Sequence, residues 1–569
     1  MIRVLTHPRG LSISTDDSTT HNPLIRRIEE RVGADQLLVY RGQLILPSNL
    51  AGDVLELLDT FEVSWDESLL RQARAQSEHR RMQLRARVEV AQALEDPNSV
   101  LGDYELLSKL DPHQLAAVAA ISVNSLKGLA LFDEQGTGKT VVALAAFDNL
   151  KQRGKVQRLL VMAPKSVLGA WGNDSKLLFG SAYLVSTVAG SPFDRRRIIQ
   201  NPHDILLVSY DSAVRERGLL RMILAAKPAA YMLVVDESYF VKNPKTARAQ
   251  VVADIRPFCE RAVVLCGTPA PNSAVDIVNQ IDIADGGVAF AGRSISKDSE
   301  EAMSEITQAL EQTIYLRRLK EDVFPNLPVK EFERVLVDLR PNQRALYDRA
   351  RDQLVLAVRS VDDREFTRRL SSFLAKRAAL LQICSNPSTI DPLYTEEPAK
   401  LLALDRLLNE LIEQQSKKVV IWSFFRASLQ AIVERYQHLG LVRIDGSVLR
   451  VEDRIEAISL FQNDEKVRLF VGNAAAAGAG ITLTAAHHAI YESFSNQAAH
   501  YMQSVDRIHR RGQTQNVINH ILLATNTIET REFNRILEKE NAGRDLLRDS
   551  YKELITRDRF LADLGTSNE

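Results

Sequence analysis

The chain has 569 residues, of which 45% are hydrophobic and 25% are charged. This is the composition of an ordinary globular protein, and it excludes a wholly disordered chain. The 72 basic and 73 acidic side chains nearly cancel, so any binding of a polyanion would have to come from a local patch.

Cysteine usage and hydropathy exclude several further classes. The chain has three cysteines and no CxxC pair, which argues against a disulfide scaffold and against an ordinary structural zinc site. No stretch approaches the ~20 apolar residues that span a bilayer. The first residues, MIRVLTHPRG, lack the apolar core of a signal peptide. We therefore expect a cytoplasmic protein without a membrane partner.

Residues 1–95 are predicted to form a small α+β accessory domain. Short strands are expected at 36–40 and 43–46. A helix from Glu67 to about Leu94 is rich in arginine and ends before the breaker Asp96-Pro97-Asn98. We expect these arginines to form a solvent-exposed face of the helix. The alternatives are that they grip DNA or bind a protein partner.

Two later parts of the chain, 96–293 and 399–569, alternate apolar runs with helical patterns. Strands are predicted at 128–132, 159–162, 205–209, 232–235 and 262–265, and then at 419–422, 442–444, 469–471 and 488–491. Continuous apolar strands separated by helices indicate parallel sheets covered on both faces. The segment between them, 294–398, is predicted as a helical protrusion and linker. The fold class is therefore α/β, with two parallel-sheet lobes and helical insertions.

A glycine-containing loop, DEQGTGKT at 133–140, joins a predicted strand to a predicted helix. Backbone N–H groups and the positive end of a helix form a cradle for phosphate in such a loop. Lys139 would reach the β- and γ-phosphates, and the Thr140 hydroxyl would bind Mg²⁺. The strict phosphate-loop pattern is not met, because Asp133 occupies the first glycine position. Taken alone, the loop could also be an exposed glycine turn.

The apolar run at 232–235 ends in Asp236-Glu237. At the carboxyl end of a strand, one carboxylate can hold Mg²⁺ while the next orients the attacking water. Two solvated acids are the alternative for an isolated pair. Within the same series of strands and helices as the phosphate loop, the pair predicts a nucleoside triphosphatase.

The segment Gln503–Gln513, QSVDRIHRRGQ, supplies positive charge in the second half of the chain. Arg507 and Arg510 are three residues apart, which predicts one helix face from which both approach a γ-phosphate. A solvated basic helix is the alternative. If these arginines belong to the second lobe, hydrolysis requires closure of the two lobes.

Together these segments resemble the Snf-two (SWI/SNF-type) family of superfamily-two helicase-like, DNA-dependent ATPases. The resemblance covers about Leu110 to Glu529, with the motifs in family order. It rests on residues 111–114, 133–140, 160–171, 208–211, 236–243, 267–272, 316–330, 382–387, 421–424, 445–447, 478–480 and 503–513. It implies two RecA-like lobes that use ATP and Mg²⁺ and bind double-stranded DNA.

The resemblance also implies roles for individual residues. ATP binding falls to Gln114, Asp133, Glu134, Gln135, Gly136, Thr137, Gly138, Lys139 and Thr140, and Mg²⁺ binding to Thr140 and Asp236. The catalytic residues are Lys139, Glu237, Arg507 and Arg510. Lys165, Ser166, Lys242 and Asn243, which follow predicted strand ends, are expected to contact DNA phosphates. For each of these four taken singly, an exposed polar loop is the alternative.

The chain departs from the family pattern at three places. Ser238-Tyr239 replaces a small residue and a histidine, which places the link from hydrolysis to DNA contact in question. Ala477 and Thr482 stand where the family has glycine and asparagine. None of these positions carries the hydrolysis chemistry itself, so an active ATPase is expected.

The leading hypothesis is a motor that hydrolyses ATP, translocates on double-stranded DNA and remodels or displaces protein–DNA complexes. The alternatives are a strand-separating DNA or RNA helicase and an ATP-binding scaffold in a DNA repair or phage-defence assembly. Intact Lys139, Glu237 and both arginines argue against the scaffold. In a bacterium, the protein would be associated with the nucleoid.

Overall fold

The structure is a computed structural model. It describes residues 2–15, 18–32, 37–40, 42–228, 230–270, 274–290, 295, 299–311, 313–448, 450–474, 481–494, 501, 504–545 and 564. Across these ranges, every helix is too short or too polar to span a bilayer.

The N-terminal domain is built on a mixed five-stranded sheet of order β3-β4-β2-β1-β5. Its strands are β1 (Ile2–His7), β2 (Gly10–Thr15), β3 (Leu38–Tyr40), β4 (Gln43–Leu46) and β5 (Val63–Trp65), and its helices are α1 (Ser18–Val32) and α2 (Ala51–Leu57). Val4, Leu11 and Ile13 are fully buried in its core, with Val54 of α2. The predicted small α+β domain is confirmed.

A long helix, α3 (Glu67–Glu95), connects this domain to the next. Its second half contributes Ala86, Val90 and Ala93 to the core of the following lobe. His79 also reaches that lobe, with its Nε2 atom 3.0 Å from the carbonyl oxygen of Asp285. The helix therefore packs the N-terminal domain against the lobe. Its exposed arginines are Arg71, Arg74, Arg81, Arg85 and Arg87.

The first lobe contains a parallel sheet of order β12-β6-β11-β10-β7-β9-β8. Its strands are β6 (Gly128–Leu131), β7 (Arg158–Ala163), β8 (Val185–Val188), β9 (Ile205–Ser209), β10 (Tyr231–Asp236), β11 (Arg261–Leu265) and β12 (Tyr315–Leu316). Its helices are α4 (Asn98–Leu101), α5 (Pro112–Ser122), α6 (Lys139–Gln152), α7 (Leu168–Phe179), α8 (Pro192–Gln200), α9 (Tyr210–Arg215), α10 (Arg217–Ala226), α11 (Ala247–Ile255), α12 (Val278–Asp285) and α13 (Ser299–Leu310). Alternate residues of β6 enter opposite cores, Leu129 and Leu131 on one face and Ala130 on the other. Both faces of the sheet are thus covered, as the continuous apolar strands predict.

The second lobe contains a parallel sheet of order β13-β18-β17-β14-β16-β15. Its strands are β13 (Lys330–Val337), β14 (Val419–Trp422), β15 (Leu441–Ile444), β16 (Leu469–Gly472), β17 (His488–Tyr491) and β18 (Val517–Ala524). A short helix α14 (Lys320–Val323) precedes it, and α15 (Pro341–Arg359), α16 (Asp363–Ser385), α17 (Ala399–Leu408), α18 (Arg426–Tyr436), α19 (Val451–Asn463) and α20 (Ile528–Asp545) cover it. The predicted α/β class with two parallel-sheet lobes is confirmed.

The nine strands predicted in the two lobes all occur, with bounds shifted by one residue at most, but sequence reasoning missed four others. Among these, β12 and β13 lie inside 294–398, which was predicted mainly as helix; β12 pairs with β6 of the first lobe and β13 with β18 of the second. The chain thus crosses between the sheets from Leu316 to Lys330. The predicted domain boundaries remain predictions.

Candidate active site

The phosphate loop begins where β6 ends at the carboxyl edge of the first sheet. Gly136 and Gly138 adopt positive φ angles of 88° and 87°, a region that favours glycine. A Cβ atom on Gly138 would lie 2.2 Å from the Nε2 atom of Gln114. Both backbone conformation and space therefore require glycine at this position. Gly138 caps α6, so the positive end of a long helix faces the loop.

Lys139 is held over its own loop. Its ammonium group donates hydrogen bonds to the carbonyl oxygens of Asp133 at 2.7 Å and Glu134 at 3.1 Å. Thr140 follows in the first turn of α6. Among the described residues its hydroxyl has no hydrogen-bond partner, which leaves it available to a metal ion. This is the arrangement that a phosphate cradle needs.

The start of α5 clamps the other side of the loop. The side-chain amide of Gln114 donates to the carbonyl oxygen of Thr137 at 3.2 Å, and its oxygen accepts the backbone N–H of Asp111 at 3.0 Å. His113 Nε2 lies 2.9 Å from the same Thr137 oxygen. The predicted ATP-binding residues 133–140 and Gln114 are thus brought together.

Asp236 ends β10 and is fixed by three donors. The indole N–H of Trp171 donates to Oδ2 at 2.8 Å, and the backbone N–H of Glu237 donates to Oδ1 at 2.8 Å. The Tyr210 hydroxyl donates to the Asp236 carbonyl oxygen at 2.7 Å. Burial raises the pKa of Asp236, against the hydrogen bond from Trp171 and the positive charge of Lys139. Trp171 belongs to a motif that the sequence reasoning recognised, but its bond to Asp236 was not predicted.

Glu237 occupies the left-handed backbone region with a φ of 48°. Its Oε1 atom accepts a hydrogen bond from Gln135 Nε2 at 3.4 Å, and its buried Oε2 atom has no hydrogen-bond partner among the residues described. Burial and the neighbouring Asp236 raise the pKa of Glu237 to about 7. A carboxylate with this pKa and one unpartnered oxygen is suited to act as a general base.

Arg507 and Arg510 face the same cleft from the second lobe. Both guanidinium groups lower the pKa of Glu237 through their positive charge, as Lys139 does. A Cβ atom on Gly136 would lie 3.7 Å from Cγ of Arg510. Burial lowers the pKa of Arg507 to about 9. Lysine and acids on one side and two arginines on the other therefore border one cleft.

The prediction that the two arginines lie on one helix face was wrong. They lie on consecutive turns at 506–512. There the backbone N–H of Arg510 donates to Ile508 O at 3.1 Å and that of Gln513 to Arg510 O at 2.9 Å. These short-range bonds, with Gly512 at a φ of 96°, replace the helical pattern. Arg510 is held by the Thr482 hydroxyl, which accepts from its Nη1 atom at 3.1 Å.

Asp133, the residue that departs from the strict loop pattern, is a buried ion-pair partner. It is 1% exposed, and Arg318 Nε lies 3.1 Å from each of its carboxylate oxygens. Arg318 also donates to the carbonyl oxygen of His113. The segment 316–323 was recognised as a family signature, but its contact with the phosphate loop, distant in sequence, was not predicted.

A second unpredicted set of hydrogen bonds connects the residue after Asp236-Glu237 to the segment 267–269. The Ser238 hydroxyl donates to the side-chain oxygen of Gln280, and the amide group of Gln280 donates to the carbonyl oxygen of Pro269. Gln280 is fully buried. Ser238, at the position after Asp-Glu where the family has a small residue, is thus connected to Pro269 by two hydrogen bonds through Gln280.

The predicted DNA-contacting residues lie at the same sheet edge. Lys165 and Ser166 are exposed after β7, and Asn243 is exposed beyond the neighbouring strand β10. Lys242 differs, because its ammonium group donates to the Asp276 carboxylate at 2.8 Å. Ala477, Gly478–Gly480 and Gln503 lie outside the described residues.

Comparisons with known proteins place these features in a family. The family model of the SNF2-related domain matches residues 113–389, and that of the helicase conserved C-terminal domain matches residues 399–512. The ISWI chromatin-remodeling complex ATPase ISW1 of Saccharomyces cerevisiae is 28% identical over 469 residues, covering 76% of this chain and 40% of the relative. The human SWI/SNF-related matrix-associated actin-dependent regulator of chromatin subfamily A member 1 is 28% identical over 445 residues, covering 72% and 41%.

The chain thus spans about two fifths of the length of these relatives. The solved Sulfolobus solfataricus SWI2/SNF2 ATPase core in complex with dsDNA aligns at 24% identity with a TM-score of 0.35, covering 76% of this chain and 93% of that chain. This superposition is loose, and the assignment rests on the two domain matches, which run through both lobes and the segment between them. The chain belongs to the SNF2-related family of helicase-like, SWI/SNF-type ATPases.

Proposed function

We propose that the chain is a magnesium-dependent ATPase that translocates on double-stranded DNA and displaces or remodels proteins bound to it. The observation that carries this proposal is the opposed placement of Lys139, Asp236 and Glu237 on one lobe and of Arg507 and Arg510 on the other. Each side alone lacks part of the machinery of phosphoryl transfer.

The residues present fit a nucleoside triphosphate and its metal. The glycine cradle and Lys139 would bind the phosphates, and Thr140 and Asp236 would hold Mg²⁺, which neutralises phosphate charge when bound. Glu237 would orient the attacking water and accept its proton through its unpartnered oxygen. Arg507 and Arg510 would stabilise the charge that develops on the transferred phosphoryl group.

Because the two sets of residues belong to different lobes, catalysis requires the lobes to be closed. Hydrolysis followed by release of phosphate removes negative charge from between them, so the nucleotide state biases closure. Exposed Lys165, Ser166 and Asn243 suit contact with DNA phosphates, which fixes position without reading sequence. The chromatin-remodeling relatives support a duplex substrate.

Steady-state ATP turnover with no nucleic acid, duplex DNA, single-stranded DNA and RNA tests the proposal. We expect stimulation by duplex DNA, displacement of a third strand from a triplex, and loss of turnover in Lys139→Ala. Stronger stimulation by RNA would overturn the duplex assignment. Separation of a forked duplex would instead indicate a strand-separating helicase, and nucleotide binding without turnover would indicate a scaffold.

A further inference from the structure

Lys320 lies in the crossing between the two sheets, at the first position of α14, and is only 3% exposed. Its ammonium group donates to the carboxylate of Asp506 and to the carbonyl oxygen of His509, the latter at 3.1 Å. Both acceptors belong to the arginine turn, which we define as residues 506–512. A buried cation from the crossing thus holds the segment that presents the two arginines.

The same residue contacts the phosphate loop. Its backbone N–H donates to the Glu134 carboxylate at 2.8 Å. Its side chain passes close to the loop glycine, because a Cβ atom on Gly136 would lie 3.2 Å from Lys320 Cε. Two residues earlier, Arg318 pairs with Asp133. The crossing therefore contacts the phosphate loop at two successive acidic residues, Asp133 and Glu134.

The partner of Lys320 in the arginine turn also acts on the arginines. Burial would raise the pKa of Asp506, but Lys320 together with Lys330 and Arg507 holds it below its ordinary value. The carboxylate therefore stays charged beside Arg507 and Arg510, whose charged forms it favours. The Asp506 carbonyl oxygen accepts a hydrogen bond from Arg510 Nε at 3.0 Å. A displacement of Asp506 would move that arginine directly.

We propose that Lys320 is a positioning residue that couples the phosphate loop to the arginine turn and sets Arg507 and Arg510 for hydrolysis. The inference rests on the proposed ATPase function. Lys320 acts through Asp506 and the arginines, and need not touch the nucleotide. Its loss should therefore affect catalysis far more than nucleotide binding.

The first test is Lys320→Met, which removes the charge and keeps the length of the side chain. We expect the kcat of DNA-stimulated ATP turnover to fall about 10²-fold, less than the roughly 10³–10⁵-fold that an arginine finger contributes, because the arginines are displaced and not removed. The KM for ATP and the Kd of a fluorescent ATP analogue should change less than about 3-fold. Lys320→Arg, which retains a cation, should recover most of the loss. Lys155→Met, at an exposed turn of the same lobe, is the matched control and should behave like the parent chain.

A double-mutant cycle separates positioning from general damage. If Lys320 acts through Arg510, adding Lys320→Met to Arg510→Ala should lower kcat less than about 3-fold further. Asp506→Asn should reproduce the kcat loss of Lys320→Met. An unchanged kcat in Lys320→Met, or losses that multiply both in this cycle and in the matching cycle with Arg507→Ala, would overturn the inference.

A replacement variant and a hydrogen-exchange measurement test the inference even if Lys320→Met does not fold. If Lys320→Met does not fold, Asp506→Asn and its cycle with Arg510→Ala decide the question in the same way. In folded variants, amide exchange of the arginine turn should accelerate while that of β6 stays unchanged. A parent chain without DNA-stimulated turnover would refute the proposed function, whereas parent turnover that is insensitive to Lys320 would refute this inference alone.

Discussion

At the scale of single residues, Glu237 shows how burial can prepare a carboxylate for chemistry. Its buried Oε2 atom lacks a hydrogen-bond partner among the described residues, and its backbone lies in the left-handed region. Both features are unfavourable for folding and are tolerated where function needs them. They mark Glu237 more strongly than the Asp-Glu sequence alone.

We predict that Glu237→Gln retains ATP binding and loses turnover by at least about 10²-fold, the usual contribution of a general base. The base must be deprotonated, and its pKa is raised to about 7. The kcat/KM of the parent chain, which reports the free enzyme, should therefore fall as the pH drops below about 7 and level off above it. A pH profile of kcat/KM over this range checks the assignment, and the assignment is wrong if the residual activity of Glu237→Gln shows the same pH dependence.

Trp171 should act on the metal through Asp236. Trp171→Phe removes the N–H group that donates to Asp236 Oδ2 at 2.8 Å. Loss of such an outer-shell partner typically lowers metal affinity or activity about 10–100-fold. We expect a higher Mg²⁺ concentration at half-maximal ATP turnover. Trp65→Phe, in the N-terminal domain, is the control; equal Mg²⁺ dependence in the two variants would contradict the role.

At the scale of elements, the strand–loop–helix unit of 128–152 was predictable because its signals are local. An apolar strand, glycines and a helical run are contiguous in sequence. β13 escaped prediction because it is an edge strand with mostly exposed side chains, KEFERVLV, in a parallel sheet otherwise made of buried strands. The arginine turn was mistaken for helix because residue spacing does not report the hydrogen bonds that end a helix.

The joint between α17, β17 and α20 depends on one buried cation. Lys400 is fully buried and donates at 2.7 Å both to the Glu529 carboxylate and to the Glu492 carbonyl oxygen. Lys400→Met leaves Glu529 buried without its cation, so we expect a loss of about 3–5 kcal/mol in the stability of the second lobe. The free energy of unfolding of the second lobe can be measured by urea titration with hydrogen exchange in β17 as the readout. The exposed Lys376→Met on α16 is the control, and equal stability of the two variants would refute the prediction.

At the scale of the whole molecule, each lobe has cores of its own, and polar contacts join the lobes at the cleft. Lys320 bonds to Asp506, and Arg511 donates to the Asp111 carboxylate at 2.7 Å. Sequence reasoning predicted the two lobes and their facing residues. It could not predict these pairs, because their partners are far apart in sequence and meet only through the arrangement of the lobes.

Duplex binding should be strongly salt-dependent, because a nearly neutral chain must rely on local phosphate contacts. We predict that Lys165→Ala weakens binding uniformly across DNA sequences and lowers the slope of log affinity against log salt by about 1. Lys155→Ala is the control, since Lys155 lies between α6 and β7 at the opposite edge of the sheet. Equal slopes for the two variants would remove Lys165 from the DNA interface.

The crossing from Leu316 to Lys330 has a mechanical consequence, because the same short segment links the two sheets and contacts the phosphate loop. If bound nucleotide changes the conformation of this segment, then by thermodynamic reciprocity a force on the segment changes the affinity for nucleotide. If the chain translocates as proposed, a stall against an obstacle would therefore change the strength with which it binds nucleotide. The opposing load would then influence the rate at which ADP is exchanged for ATP.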